Sequence, residues 1–204
     1  MASRTESKQG SRSGGGQDNS SGWGGGNAGV IAGAALAGAA IGMAANVGRK
    51  LFVQFSSGAT GDWLDALKAE HRATLALFDK IEATDDSQTM MRAHLLTKLK
   101  HALDRHAVEE ENVIYPALRE ANLAHDADAL NGEHGYVKTY LYELETLPKD
   151  SPDWLARIRD FRAMIHEHMR MEEDEVFPGF RQSLSPTQNA RLTAMMNKEG
   201  FKVA

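Results

Sequence analysis

Cysteine is absent from all 204 residues, so thiolate metal sites, redox thiols and a disulfide framework are excluded together. There are only 5 prolines (Pro116, Pro148, Pro152, Pro178 and Pro186), and each falls where a helical stretch ends, kinks or starts. No block of Lys or Arg gives the electrostatic footprint of a nucleic-acid binder, and no nucleic-acid partner is expected. Clustered β-branched runs with hairpin turns are also missing, which leaves a sheet without support. The 28 acidic and 23 basic residues, net charge −5, are dispersed along what read as helix faces. Any metal site must then be built from imidazole and carboxylate, donors that suit iron, manganese or zinc better than copper(I).

Composition divides the chain. Residues 1–27 are Gly, Ser and small polar groups around one Trp23, a composition that cannot offset the entropy of ordering, and read as a disordered tail. Residues 28–50 form an Ala/Gly-rich apolar segment, uncharged from 28 to 48 and followed by Arg49 and Lys50. It is long enough to span a bilayer, and Gly29/Gly33 and Gly38/Gly42 give the small-xxx-small spacing that lets helices approach closely. Against this, Ala and Gly gain little on transfer, and Asn46 sits near the end. A membrane-associated or self-associating helix and a weakly ordered Ala/Gly helix stand as equal readings. The polar stretch before the segment is a poor fit to a cleaved signal peptide.

Residues 51–61 read as a linker, 62–182 as an all-α antiparallel up-down four-helix bundle, and 183–204 as a short C-terminal capping helix. Asp62 is placed to cap a first helix to about Ala83; Asp85-Asp86-Ser87 opens a second that ends or kinks near Pro116. A third runs from about His125 to Leu147, a fourth starts at Pro152 and stops before Pro178, and Ser185-Pro186 opens the last, ending near Gly200. Short connections between long helices imply the up-down arrangement.

The apolar stripes of these helices are interrupted by the wrong residues. Leu64, Leu67, His71, Thr74, Phe78 and Ile81 line the first helix, and Leu95, Leu99, Ala102, His106, Glu110, Val113 and Ala117 the second. Ala127, Leu130, His134, Val137, Leu141 and Leu144 line the third; the fourth has Leu155, Ile158, Phe161, Ile165, His168, Glu172 and Val176. One histidine on an apolar stripe is more often a core residue than a ligand. Four, one per helix, joined by two glutamates and no Lys or Arg on the same stripes, call for a cation, because an unpaired buried carboxylate is costly. His106 and Glu110, like His168 and Glu172, are four apart and project from one helix face about 6 Å apart along the axis.

The chain also repeats. The stretch from His106 to Pro116 aligns with His168 to Pro178 at an offset of 62, and Glu70-His71 aligns with Glu133-His134 at 63. Two helical hairpins so related place their ligand sets face to face, with room for two ions. A histidine on helices one and three, and H-x-x-x-E followed by an aromatic-Pro ending on two and four, resemble the hemerythrin-type HHE cation-binding family. The resemblance implies a non-haem centre of two iron ions, oxo- or hydroxo-bridged and spanned by two carboxylates, with manganese or zinc as substitutes. Carried over by position, it implies His71, His106, Glu110, His134, His168 and Glu172 as metal ligands. Two departures stand out. Oxygen carriers of the family have a second histidine where this chain has Lys138, and an aspartate where Glu173 stands, which makes Glu173 a secondary candidate. The four-His, two-Glu set leaves more open or water-filled positions than the carriers have, which argues against simple reversible oxygen carriage.

The expected function is binding of oxygen, another small diatomic, peroxide or iron itself, in sensing, storage or scavenging. The alternatives are a peroxidase- or oxidase-like enzyme, for which no separate acid–base constellation is visible, and a structural metal in a membrane-associated assembly protein. The expected location is the cytoplasm, or a membrane reached through residues 28–48. Other residues carry weaker expectations. His94, His101, His125 and His166 read as surface groups, and Glu109, Glu111 and Asp174 as solvent-facing. Glu70 and Glu133 either orient imidazoles or are exposed charges, with exposure favoured. Tyr115 and Phe177 read as closing the bundle end, Tyr136 or Tyr140 as approaching the site, and Met195 and Met196 as packing the last helix.

Overall fold

The computed structural model describes residues 61–203; the readings made for residues 1–27, 28–50 and 51–60 lie outside the described residues. Helix α1 spans Trp63–Glu82, α2 Thr89–Glu109, α3 Tyr115–Glu120, α4 Ala124–Thr146, α5 Pro152–Arg170, α6 Phe177–Ser183 and α7 Pro186–Val203. α2 runs into α3 through a π-helical turn, Glu110–Ile114, and α5 runs into α6 through another, Met171–Val176. The described residues contain no strand, and none of their helices is long and apolar enough to cross a membrane.

Local chemistry sets the ends. The Asp62 carboxylate accepts from the Leu64 and Asp65 amides while Asp65 accepts from the Asp62 amide, so α1 starts in a reciprocal capping box. α2 begins at Thr89, later than the Asp85-Asp86-Ser87 cluster suggested. Asp85 instead closes a local turn, accepting from the amide and hydroxyl of Ser87. Asn122 takes the left-handed conformation (φ 65°) that lets the Leu123 amide reach Leu118 O at 2.9 Å, ending α3 and reversing the chain into α4.

α1, α2 with α3, α4 and α5 form the four sides of the bundle, each packed on two neighbours, and α7 lies against α2 and α1. One apolar cluster (Trp63, Leu67, Ile114, Leu118, Phe177, Phe180, Met196) fills one end, and a second (Phe78, Ile81, Leu99, Trp154, Ile158, Phe161) fills the other. Trp154, fully buried, takes the core place expected of Leu155, which is only half-buried. Of the two methionines expected to pack the last helix, Met196 does so, whereas Met195 is exposed. Along each of the four long helices the histidine falls between residues of one cluster and residues of the other. The polar groups thus form one layer inside an otherwise apolar core.

Candidate metal centre

The two π turns position this layer. Proline has no amide to continue an α-helical ladder. At Pro116 and Pro178 the chain widens one turn instead of stopping: the Tyr115 amide bonds Glu110 O and the Phe177 amide bonds Glu172 O, five residues back. The second helix, expected to end or kink near Pro116, runs on through its wider turn to Glu120, and the fourth, expected to stop before Pro178, continues to Ser183. Each ligand-type glutamate accepts the closing bond of a π turn, and each turn shifts the phase of the residues C-terminal to it. In an unbroken α-helix Tyr115 would point about 140° away from Glu110. The wider turn swings it beneath the carboxylates.

His71, His106, Glu110, His134, His168 and Glu172 all converge, each at most 5 % exposed and both glutamates at 0 %. Glu110 Oε1 lies 3.2 Å from His106 Nε2 and its Oε2 lies 3.3 Å from His134 Nε2. Glu172 mirrors this, with Oε2 3.4 Å from His71 Nε2 and Oε1 3.5 Å from His168 Nε2. Each carboxylate therefore straddles the layer, one oxygen toward the His71–His106 pair and one toward the His134–His168 pair. Donor atoms of His71, His106, Glu110 and Glu172 lie within 4.8 Å of one another, as do those of Glu110, His134 and His168.

The outer nitrogen of every imidazole is held by a further carboxylate. His71 Nδ1 donates to Glu173 at 2.6 Å, His106 to Glu70 at 3.1 Å, His134 to Glu111 at 2.9 Å and His168 to Glu133 at 2.6 Å. These four carboxylates obey the internal repeat: Glu70 matches Glu133 and Glu111 matches Glu173. Glu70 and Glu133 thus take the orienting place that was the less favoured of their two readings, Glu111 is not the solvent-facing charge expected, and Glu173 stands behind His71, leaving the inward place to Glu172. With Nδ1 protonated, each neutral ring turns the lone pair of Nε2 inward. His71 Nε2 and His106 Nε2 then face each other at 2.9 Å, a contact that needs a proton or a cation between them.

Tyr115, expected at the bundle end, is in the layer. It is fully buried, and its hydroxyl lies 2.9 Å from Glu172 Oε1, 3.2 Å from Glu110 Oε2 and 3.1 Å from His134 Nε2. The repeat puts Phe177 at the matching place, packed on Trp63, so the phenol marks one half only. Tyr136 is exposed, and Tyr140 stacks on Phe161 at 5.0 Å; neither reaches the site. Glu109 is a second correction. It is 3 % exposed and lies under Gly200 of α7, where a Cβ would collide with its carboxylate. His94, His101, His125, His166 and Asp174 are exposed, as read.

The electrostatics are those of a site that holds positive charge. Burial lowers the His106 pKa, but the charge and hydrogen bond of Glu110, with Glu70 behind, outweigh it and hold the ring well above the ordinary imidazole value. His71 and His134 are raised in the same way, burial being overcome by Glu172 and Glu173 for one and by Glu110 and Glu111 for the other. Burial raises Glu110, yet His106 and His134 keep it well below the carboxylate range. Burial and the Glu110 and Glu172 charges push the Tyr115 phenol well up, so it stays a donor. Even so, Glu110 Oε1, Glu172 Oε2 and His168 Nε2 are buried without a hydrogen-bond partner. Leaving such atoms bare costs several kcal/mol for an ionised group. An all-nitrogen-and-oxygen donor set gathered in one buried layer as two overlapping groups fits hard or borderline divalent cations.

Comparison with known proteins agrees with this geometry. Residues 63–180 match the family model of the hemerythrin HHE cation binding domain. A solved hemerythrin HHE cation binding domain-containing protein from Mycobacterium kansasii superposes with a TM-score of 0.63 at 22 % identity, over 70 % of this chain and 87 % of the other, and shares the fold. A curated protein of Nostoc sp., named DNA nickase, is 26 % identical over 124 residues, 61 % of this chain; the match covers 35 % of that relative's length.

Proposed function

The chain belongs to the hemerythrin HHE cation-binding family, and from that premise we propose that it is a non-haem di-iron protein whose centre takes up a small oxidant or diatomic molecule in a sensing or scavenging role. His71 and His106 would hold one iron and His134 and His168 the other, with Glu110 and Glu172 shared between them. The observation that carries this reading is the straddling of the two fully buried glutamates, each with one oxygen toward each histidine pair and one oxygen without a partner. A single cation would leave one oxygen of each carboxylate, or one imidazole pair, uncompensated in a dry interior.

Two irons so held supply electron exchange with an oxidant or a diatomic ligand. The chain's own residues do the rest. Glu70, Glu111, Glu133 and Glu173 fix the tautomer and tilt of the four rings and make their inward nitrogens better donors. The two apolar clusters keep water from the layer on both sides. Tyr115 holds a proton at the carboxylate oxygens on the His134 side. That last observation favours a second reading, turnover of hydrogen peroxide, because it puts a proton donor at the metal-facing atoms.

Absorption spectra of the purified protein, aerobic and anaerobic, test the proposal. Near-ultraviolet bands that change with oxygen support it, and full occupancy by spectroscopically silent zinc contradicts it. Peroxide consumption lost in both His71→Ala and Tyr115→Phe would move the assignment to the second reading.

A further inference from the structure

The two halves of the repeat differ in what stands behind their outer carboxylates. Glu133 holds His168 with its own side chain 31 % exposed. Glu70 holds His106 from a drier place and takes a second donor: His106 Nδ1 bonds one of its oxygens and Arg105 Nη2 the other. The Arg105 guanidinium is mostly buried, and its Nε edge faces Glu109 Oε1 at 3.9 Å, one turn further along α2. Glu109 is 3 % exposed and lies against the backbone of α7, where a Cβ on Gly200 would stand 1.8 Å from Oε1. Glycine is unfavourable inside a helix, and no positive φ asks for it at this position. What it admits is the close approach of the Glu109 carboxyl. The offset of 62 puts Glu167 and Met171 at the places of Arg105 and Glu109. Glu167 is exposed and pairs with Arg170, so this extension is missing behind Glu133 among the described residues.

A contact chain therefore runs from α7 to one imidazole of the centre, through Gly200, Glu109, Arg105, Glu70 and His106. Its middle is short of bonds of its own: Arg105 Nε and Glu109 Oε2 are buried without a hydrogen-bond partner. Their places are fixed by the Glu70 bond on one side and by the packing of α7 on the other. We infer that Arg105 and Glu109 are positioning residues for His106, and that the docking of α7 through Gly200 sets the orientation of that imidazole. Arg105 aims the Glu70 carboxylate, Glu109 confines the guanidinium to the Glu70 side, and α7 keeps Glu109 in its dry place. Both residues act through Glu70. The inference rests on the two-cation reading for what His106 holds, whereas the contact chain stands without it.

Zinc titration of the full chain against a chromophoric chelator, with the imidazole N–H resonances read in parallel, tests this. Gly200→Ala and Arg105→Gln should each move the Nδ1–H resonance of His106 and leave that of His168 in place. Each should weaken one of two zinc-binding steps about tenfold and leave the other within about twofold. Glu109→Asp, shorter by one methylene, should restore both the resonance and the affinity in the Gly200→Ala background. Gly179→Ala, where an added Cβ meets nothing within 4 Å, is the control for a glycine lost from a helix. If Gly200→Ala unseats α7 altogether, seen as fast amide exchange from Leu192 to Gly200, Arg105→Gln decides alone. Either substitution with the wild-type His106 resonance and both zinc affinities overturns the inference. So does a seated Gly200→Ala helix whose defect Glu109→Asp fails to repair. A single zinc step in the wild type would reject the two-cation reading, and the His106 resonance would still decide the contact chain.

Discussion

Four carboxylates stand behind four imidazoles, and removing them one at a time should weaken metal binding in an order set by burial. Glu70 is the driest, its side chain 14 % exposed; it accepts from His106 and is also paired with Arg105. Glu173 and Glu133 are 27 % and 31 % exposed, each 2.6 Å from its imidazole. Glu111 is the most open at 33 % and shares its charge with Lys138. Loss of an outer carboxylate at a histidine–metal site typically costs 10–100-fold in affinity, or roughly 1.4–2.8 kcal/mol. Glutamine keeps an acceptor oxygen and loses the charge. Glu70→Gln, which also takes from the Arg105 guanidinium the nearer of its two carboxylates, should approach the upper figure. Glu133→Gln and Glu173→Gln should fall near tenfold and Glu111→Gln below it. Glu175→Gln, which removes only an exposed partner of Arg170, is the control. Competition against a chromophoric chelator measures each affinity. If Glu70→Gln and Glu133→Gln bind metal as tightly as Glu175→Gln, the four contacts are surface ion pairs and the reasoning fails.

Tyr115→Phe copies the other half of the repeat, so packing should survive. The lost buried hydrogen bond to a carboxylate should cost roughly 1.5–3 kcal/mol, read as a lower thermal midpoint; an unchanged midpoint would show that the phenol is not bonded there. Burial, then the nearby Glu70 charge, raises the Glu109 pKa to about 8. A folded value above the unfolded one near 4.5 means its contribution is intact below about pH 4.5 and is lost as pH rises through about 8. Glu109→Gln should therefore leave urea stability almost unchanged at pH 5 and raise it at pH 8.5 by an amount on the order of a few kcal/mol. His71, His106 and His134 are raised too, so their imidazolium–carboxylate pairs stabilise the metal-free protein fully below pH 6.5, and that stability is lost at higher pH. Metal affinity should run the opposite way, rising with pH as these protons leave. Calorimetric titration in buffers of different ionisation enthalpy will count the protons released, and no release would contradict the assignment.

The bundle and the six inward residues were legible because both depend on helical periodicity, which the sequence displays directly. His71 on its stripe and the H-x-x-x-E pairs needed only a period of 3.6. Tyr115 was not legible for the same reason: its place depends on a π turn, and a constant period puts it on the wrong face. The proline after it was a usable signal, since its missing amide has to be accommodated by a break or by a wider turn. The outer carboxylates were underweighted on a different ground: orienting an imidazole was the second reading for Glu70 and Glu133, Glu173 was a secondary ligand candidate, and Glu111 was read as solvent-facing. Glu70 and Glu133 lie one residue off their stripes, and off-stripe charges are mostly solvated; only their recurrence at the repeat offset, alongside Glu111 and Glu173, distinguishes them. Glu109 is buried by α7, and no local pattern in α2 announces what will cover it. Trp154 and Leu155 are adjacent, about 100° apart on the helix, and both pack on the same apolar cluster, which a stripe of this width does not separate.

The central claim is that ionised Glu110 and Glu172 lie in a dry layer because two cations share them. Metal-to-protein ratio by elemental analysis of the intact chain, beside Glu110→Gln, Glu172→Gln and the double variant, addresses it directly. The account predicts a ratio near two for the wild type, a marked loss in each single variant and near zero in the double. A double variant that retains the wild-type metal content and thermal stability would contradict it.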